Sequence, residues 1–135
     1  MRFFDRPPEE RDFVFDLVFS ECQFDEDLLN FVPYLPEVRE GVDIAIIFDE
    51  TKEIQDGPDM AILRYAPGSQ SPAHVHCGFE SVLVLKGIYI ENGVEFKPGS
   101  LIVRSPGTVH SLAARSDEGC LILASRYKPT QLIKE

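Results

Sequence analysis

The fold is decided between Gly68 and Gly87, where the chain reads GSQSPAHVHCGFESVLVLKG. Two of the three histidines of the protein, His74 and His76, lie here with a single valine between them. Successive side chains of an extended backbone point to opposite faces, so both imidazoles are expected on the same face. The third histidine, His110, follows a Pro-Gly turn and begins another apolar run. Every imidazole of the protein is therefore expected beside a strand.

A single acidic residue, Glu80, lies between positions 60 and 90, and the apolar run at 81–85 follows it directly. An ionised carboxylate is costly to bury without a partner, so a cation is expected beside it. Three imidazoles would supply neutral nitrogen ligands, and Glu80 would partly neutralise a divalent first-row metal ion. A lone histidine is ordinarily a surface or core residue, and a strand glutamate ordinarily faces water. The metal interpretation is favoured because all three histidines and the one local acid fall into a single pattern.

The rest of the chain predicts an all-β architecture. Short apolar runs rich in β-branched residues alternate with Gly- and Pro-containing turns, which is typical of an antiparallel sandwich or barrel. The pair Asn92-Gly93 is a type I′ hairpin signal. Before residue 60 we expect a strand at Asp12–Phe19 and a short helix at Asp25–Phe31. The other predicted strands are Val42–Phe48, Met60–Tyr65, Ser81–Lys86, Ile88–Ile90, Val94–Phe96, Ser100–Arg104, Val109–Ala114 and Cys120–Tyr127.

Two motif regions, 68–87 and 93–114, resemble those of the cupin superfamily of RmlC-like jelly-roll barrels. The first has Gly, five residues, His-x-His, three residues, Glu, six residues and Gly, and it matches the family at every position. The second surrounds His110, with Ser105 where the family has Pro and Ala114 where it has Asn. The resemblance implies a cupin β-barrel with an N-terminal arm and one divalent metal ion. The implied metal ligands are His74, His76, Glu80 and His110.

The length predicts a single domain over residues 1–135, with an N-terminal arm at 1–40 and a barrel at 41–128. The first 60 residues carry 17 acidic and 5 basic side chains, whereas residues 61–135 carry 6 and 8. The arm is therefore expected to form an acidic outer layer. It is also rich in Phe and should pack on the barrel or on a second subunit. The cupin resemblance implies a homodimer.

Composition excludes several classes of partner. The net charge of −10 argues against nucleic acid, which requires a basic surface. No apolar stretch is long enough to cross a membrane, and the first residues have no signal-peptide core. The three cysteines, Cys22, Cys77 and Cys120, are widely spaced, which fits a reducing compartment. We therefore expect a cytoplasmic protein without membrane or nucleic-acid partners.

Alternation also predicts a pocket beside the metal site. Residues two and four positions after Glu80, and two and four after His110, share a face with these ligands. They are apolar, so the pocket should suit a small, mostly apolar molecule. Strand arginines are further candidates for orienting a substrate, although surface positions or ion pairs with the acidic arm are at least as well supported. The expected pocket residues are Arg64, Val82, Val84, Arg104, Leu112 and Ala114.

Beyond the motifs, the chain is similar to a group of small cupins. This group comprises the cupin half of ChrR-type anti-sigma factors and small dioxygenases such as the acetylacetone-cleaving enzymes. The shared stretches are Val32-Pro33-Tyr34, Gly41-Val42, Ile62-Leu63-Arg64-Tyr65-Ala66-Pro67-Gly68 and Gly119-Cys120. The resemblance implies a metal-dependent dioxygenase that acts on a small carbonyl or diketone compound. Fe(II) is the expected ion, with Zn, Ni and Mn as alternatives.

Other functions stay open at this point. A non-enzymatic, metal-loaded barrel of the ChrR type would bind a ligand or sense oxidants, and fold alone does not separate it from an enzyme. We expect the anti-sigma role itself not to carry over, because the sequence lacks the His/Cys zinc-binding helical half of those factors. A closed tetrahedral zinc site with the same four ligands is a structural alternative. A metal-free isomerase is disfavoured because all four ligand positions are filled.

Overall fold

A computed structural model describes residues 13–16, 26–51, 57–75, 78–107, 109–114, 119–128 and 131–132 of the chain. For residues 13–16, 28, 70–75, 109–114 and 131–132 it describes the backbone only. These parts are nearly all β, with one single-turn 3₁₀ helix at Glu26–Leu28. No helix among them has the length and hydropathy needed to cross a bilayer. The strands are β1 (Phe13–Asp16), β2 (Val32–Pro33), β3 (Glu40–Asp49), β4 (Asp59–Val75), β5 (Glu80–Gly87), β6 (Tyr89–Glu91), β7 (Val94–Phe96), β8 (Ser100–Arg104), β9 (Val109–Ala114), β10 (Cys120–Arg126) and β11 (Gln131–Leu132).

The long strand β4 belongs to two antiparallel sheets. Its first half pairs with β3 and β10, and its second half pairs with β9 and β11. The eleven strands are hydrogen-bonded into one continuous network. We call its part β1-β8-β5-β10-β4-β3-β2 the first sheet and its part β4-β9-β6-β7 the second sheet, because different halves of β4 pair in the two parts. A strand that bends and changes sheets in this way forms the corner of a double-sheet structure. The predicted all-β jelly-roll architecture is confirmed.

The predicted end of β4 at Tyr65 is wrong, because the strand continues to Val75. Pro67 and the glycine after it indicated a turn, since proline cannot donate a ladder hydrogen bond. Pro67 lies between the paired positions Tyr65 and Gln70, where the strand passes from one sheet to the other. No ladder hydrogen bond is required of its nitrogen there, so the extended conformation persists through the bend.

Most local predictions match the structure. Asn92 and Gly93 have φ angles of +51° and +79°, as a type I′ turn requires, and they join β6 to β7. The predicted helix at Asp25–Phe31 is a single turn at Glu26–Leu28. Strand β1 lies within the predicted strand Asp12–Phe19 and pairs with β8. The rest of the arm before residue 26 lies outside the described residues, so its boundary with the barrel stays a prediction.

The hydrophobic core lies between the two sheets. Tyr65 of β4 and Tyr89 of β6 meet edge to face, with ring centroids 6.4 Å apart. Phe96 of β7 lies at the same centroid distance from Tyr89. Such aromatic pairs add to the free energy gained from apolar burial. The buried cluster comprises Val42, Ala61, Leu63, Tyr65, Val82, Val84, Tyr89, Phe96, Ile102, Cys120 and Ile122.

Gly119 permits a close contact between the start of β10 and β4. Its φ angle is +64°, and a Cβ atom there would lie 2.2 Å from the carbonyl oxygen of Tyr65. Backbone atoms cannot rotate away as a flexible side chain would. Glycine is therefore required both for the conformation and for the approach of the two strands.

We predict that Gly119→Ala destabilises the fold far more than Gly93→Ala. Gly93 also has a positive φ, of +79°, but a Cβ there would meet nothing within 4 Å. The control variant should lose about 1–2 kcal/mol of unfolding free energy for the strained backbone. Gly119→Ala should lose at least about 2 kcal/mol more unfolding free energy than this control, because the start of β10 must move away from β4 to make room for the Cβ atom. Urea unfolding midpoints measure both, and equal losses would contradict the close-contact argument.

Candidate metal and substrate site

A cavity of about 140 Å³ lies among strands β3, β4, β5, β6 and β10. Its wall is mainly apolar, and a few polar and charged side chains interrupt it. Ligand sites commonly combine an apolar lining with a few polar groups in this way. The apolar lining residues are Ile44, Ile46, Phe48, Met60, Ala61, Leu63, Val82, Ile122 and Ala124. The polar and charged lining residues are Tyr34, Arg39, Asp49, Asp59, Tyr65, Glu80, Tyr89 and Arg126.

Glu80 lines this cavity and is 6% exposed. It is the first residue of β5, which pairs with β8 on one side and β10 on the other. Its direct cross-strand partners are Arg104 on β8 and Arg126 on β10. Directly opposed residues of antiparallel strands have their side chains on the same face. The buried carboxylate is therefore flanked by an arginine on each side.

Each of these arginines is also bound to an acid of its own. Arg126 donates hydrogen bonds through Nε and Nη2 to the two carboxylate oxygens of Asp59, the first at 2.9 Å. Burial alone would lower the pKa of Arg126, but the hydrogen bond and charge of Asp59 raise it more, so the net shift is upward. Arg104 donates from Nε to Oε1 of Glu91 at 2.6 Å, and Glu91 is fully buried. Charge-assisted pairs of this kind fix the orientation of a guanidinium.

Glu80, its two flanking arginines and the two acids that bind them form a group of five charged side chains. The group has a net charge of −1, because three are acids and two are arginines. They are Glu91, Arg104, Glu80, Arg126 and Asp59.

Two of the predicted histidine ligands occupy opposed backbone positions. His74 on β4 and His110 on β9 are direct cross-strand partners, and both are described by their backbones only. His76 lies outside the described residues. Among the side chains that the structure does describe, no group of three or more His, Cys, Asp or Glu forms a metal cluster. The four-ligand site therefore stays a prediction, of which the structure describes one side chain and two backbone positions.

The predicted pocket residues are distributed over several environments. Val82 lines the cavity, whereas Val84 is fully buried in the core beside it. Arg104 is bound to Glu91, as described above. Leu112 and Ala114 are described by backbone alone and lie opposite Glu91 and Tyr89, respectively.

Arg64 lies outside the cavity. It falls between the lining residues Leu63 and Tyr65, so strand alternation turns it to the opposite face of β4. There it contacts Asp43 at 3.0 Å and Glu26 at 3.6 Å, and its guanidinium stacks 4.1 Å from the ring centroid of Phe31.

A strand tyrosine is ordinarily interpreted as a packing residue, but Tyr89 lines the cavity. It is fully buried, and its hydroxyl has no hydrogen-bond partner in the part of the chain that the structure describes. Burial first, and then the negative charge of Glu91, raise the pKa of Tyr89 well above its ordinary value. The hydroxyl therefore stays protonated and is a donor. The sequence signal was its alternation with Glu91 on a three-residue strand, which is too short to carry weight alone.

Asp59 was not selected from the sequence, whereas Arg126 is one of the strand arginines considered both for orienting a substrate and for an ion pair with the acidic N-terminal part of the chain, and the structure pairs it with Asp59. They are 67 residues apart in the chain and meet only because β4 pairs with β10. A sequence pattern that extends over one strand cannot show such a pair.

The antiparallel double-sheet fold is that of a cupin. A family model for the ChrR cupin-like domain matches residues 29–128. The chain belongs to this family. A comparison with curated proteins finds no significant match.

Solved structures with the same fold have different functions. An acetylacetone dioxygenase from Acinetobacter johnsonii is 16% identical, with a TM-score of 0.69 over 87% of this chain and 80% of that one. The polyketide cyclase RemF from Streptomyces resistomycificus is 15% identical, with a TM-score of 0.67 over 86% and 87%. At these identities the likeness shows the fold alone.

A third similar structure is the complex of Rhodobacter sphaeroides SigE with the anti-sigma factor ChrR. The identity is 26%, and the TM-score is 0.54. The match covers 64% of this chain and 44% of the matched chain. It therefore concerns less than half of that protein.

We predict that Cys120 is inert in the folded protein. It is 5% exposed on β10, and burial raises the pKa of its thiol to about 12 from an ordinary value of 9.0. The thiolate is the reactive form, so iodoacetamide at pH 8.5 should leave this cysteine unlabelled until urea unfolds the chain. Peptide mass mapping measures the labelling. Rapid native labelling of Cys120 would contradict its burial.

The same shift predicts weaker stability at alkaline pH. The unfolded thiol ionises near pH 9 while the folded one keeps its proton, so the stabilisation is complete below pH 9 and is lost progressively up to pH 12. Between pH 8 and pH 10 the loss due to this group should be about 1 kcal/mol. Cys120→Ala should show a correspondingly smaller pH dependence of its unfolding free energy. An unchanged pH dependence would overturn the assignment.

Proposed function

We propose that this protein is a metal-dependent oxygenase that acts on a small, neutral carbonyl compound such as a diketone. His74, His76, Glu80 and His110 would hold one divalent ion, with Fe(II) the expected metal. The observation that carries the proposal is the buried carboxylate of Glu80 in the wall of a mostly apolar cavity.

The residues present fit such an ion. The charged group around Glu80 has a net charge of −1, which attracts a cation and does not repel it. The opposed positions of His74 and His110 place two imidazole-bearing residues on neighbouring strands. Neutral imidazoles with one carboxylate suit first-row metals. When bound, the ion would supply Lewis-acid chemistry and open coordination positions.

The chain itself would select and orient the ligand. A cavity of about 140 Å³ with a largely apolar wall suits a small, mostly apolar molecule. The wall carries three carboxylates and two guanidinium groups (Arg39 and Arg126), so its net charge of −1 disfavours an anionic ligand. The protonated hydroxyl of Tyr89 is buried in the same wall, where a carbonyl oxygen would satisfy it.

A second candidate is a non-enzymatic, ligand-binding or oxidant-sensing module with a protein partner. The family match over residues 29–128 and the 26% identity to the chain in the SigE–ChrR complex favour it. The same cavity would then bind a ligand without turnover.

We further propose that the protein is a cytoplasmic homodimer. The apolar residues Ile46, Ile47 and Phe48 of β3 are 58%, 50% and 40% exposed, which supports contact with a second copy. The buried thiol of Cys120 fits a reducing compartment.

The metal prediction is tested on untagged protein purified without chelators. Elemental analysis should find about one divalent ion per chain, and Glu80→Gln, His76→Ala and His110→Ala should each lose at least about tenfold in metal affinity. Glu40→Gln, on an exposed strand residue, is the matched control and should bind as the parent does. Metal-free protein whose metal uptake does not depend on the four residues would overturn the proposal.

The two candidate functions are separated by oxygen uptake. The anaerobically reconstituted Fe(II) protein should consume oxygen when mixed with one member of a panel of small diketones. A carboxylate analogue of similar size should be a poor substrate because of the acidic wall. Tight ligand binding without oxygen uptake, for every metal and diketone tried, would reject the oxygenase and support the sensing module.

A further inference from the structure

The charged side chains beside Glu80 form a line across neighbouring strands. Arg104 on β8, Glu80 on β5, Arg126 on β10 and Asp59 on β4 are successive direct cross-strand partners. Directly opposed side chains lie on one face, with Cβ atoms about 4.5–5.5 Å apart. The charge therefore alternates in sign from strand to strand, with the predicted metal ligand inside the line. We call Glu91, Arg104, Glu80, Arg126 and Asp59 the charge row.

Both arginines of the charge row are anchored on the side away from Glu80. Arg126 is held by the two hydrogen bonds that it donates to Asp59. Arg104 is held by Glu91, which belongs to β6 of the other sheet, so this pair also ties the two sheets together. A guanidinium has five N–H donors in a rigid fork and can serve a second acid while bound to the first.

From this arrangement we propose that Arg104 and Arg126 are positioning residues, which hold the Glu80 carboxylate from its two sides for binding a metal ion. The proposal rests on the metal site proposed above. In this arrangement Glu91 and Asp59 act indirectly, because they fix the two guanidinium groups. Loss of either anchored pair would leave Glu80 in place but free to adopt other rotamers, so the ion would bind more weakly.

A simple charge deletion would not test this proposal. Removal of one arginine also removes a positive charge near the cation, and this opposes the loss of positioning. Two kinds of variant avoid the conflict. Arg126→Lys and Arg104→Lys keep the positive charge but lose the planar set of N–H donors with which a guanidinium can bind two acids at once. The double variants Arg126→Met/Asp59→Asn and Arg104→Met/Glu91→Gln remove one charge of each sign, so the net charge of the row stays at −1.

The double variants should also fold, because neither leaves a buried charge without its partner. Urea unfolding confirms this for each protein before metal is added. The control is Lys86→Met/Glu26→Gln, which removes a half-exposed pair with an N–O distance of 3.6 Å on β5 and the 3₁₀ helix, together with the outer contact of Glu26 with Arg64. It makes the same change in charge away from the cavity.

The probe is Co²⁺ alone, added to the metal-free protein and followed by its visible absorption. Its affinity and band positions report the ligand set without any catalytic assay. We expect the two lysine variants and the two double variants of the charge row to lose at least about tenfold in Co²⁺ affinity, with shifted bands. The control should stay within about twofold of the parent.

The outcomes separate this inference from the proposed function. If the parent protein binds no Co²⁺, or if Glu80→Gln binds it as the parent does, then the proposed metal site with Glu80 is wrong. The positioning role of the arginines is then wrong as well, because it depends on that site. If Glu80→Gln loses affinity but the arginine variants do not, then only the positioning role is wrong. Equal losses of Co²⁺ affinity in the control and in the charge-row variants would also overturn the positioning role, because removal of any charge pair would then weaken metal binding.

Discussion

The burial of the Glu80 carboxylate constrains the rest of the site. An isolated ionised carboxylate is expensive to remove from water, and Glu80 is only 6% exposed. The fold places an arginine on each side of it, but a half-buried guanidinium also pays part of a desolvation cost. Arg104 and Arg126 therefore each require an acid, which Glu91 and Asp59 supply. One buried acid thus accounts for four further charged side chains, alternating in sign along the row.

This arrangement depends on strand register more than on any local sequence pattern. A shift of β5 by one residue would turn Glu80 toward the other face of the sheet and bring Ser81 opposite the two arginines. The bent strand β4 is equally important, because it carries Asp59 in one sheet and His74 in the other. Its continuation through Pro67 brings the predicted histidine positions and the charge row into one double-sheet structure.

The sequence predicted the features that depend on near neighbours and missed those that depend on strand pairing. Periodic apolar runs predicted most strand bounds, and Asn92-Gly93 predicted the turn between β6 and β7. The apolar context of Glu80 showed that it needs a compensating charge. The arginines that flank it are brought there by β8 and β10, and no local pattern identifies them as its neighbours. Arg64 was expected in the pocket, although its alternation with Leu63 and Tyr65 already indicated the outer face.

The charge balance of the cavity limits which ligands suit the proposed metal. The charge row has a net charge of −1, and the imidazoles are neutral, so a divalent ion would leave a net charge of +1 in a mostly apolar cavity. One negative charge on the ligand would then neutralise the site. A ligand that enters neutral and carries a weakly acidic proton meets both requirements, since it crosses the negatively charged wall uncharged and would balance the ion after releasing that proton to solvent. A β-diketone has this property, whereas a carboxylate would have to pass the acidic wall already charged.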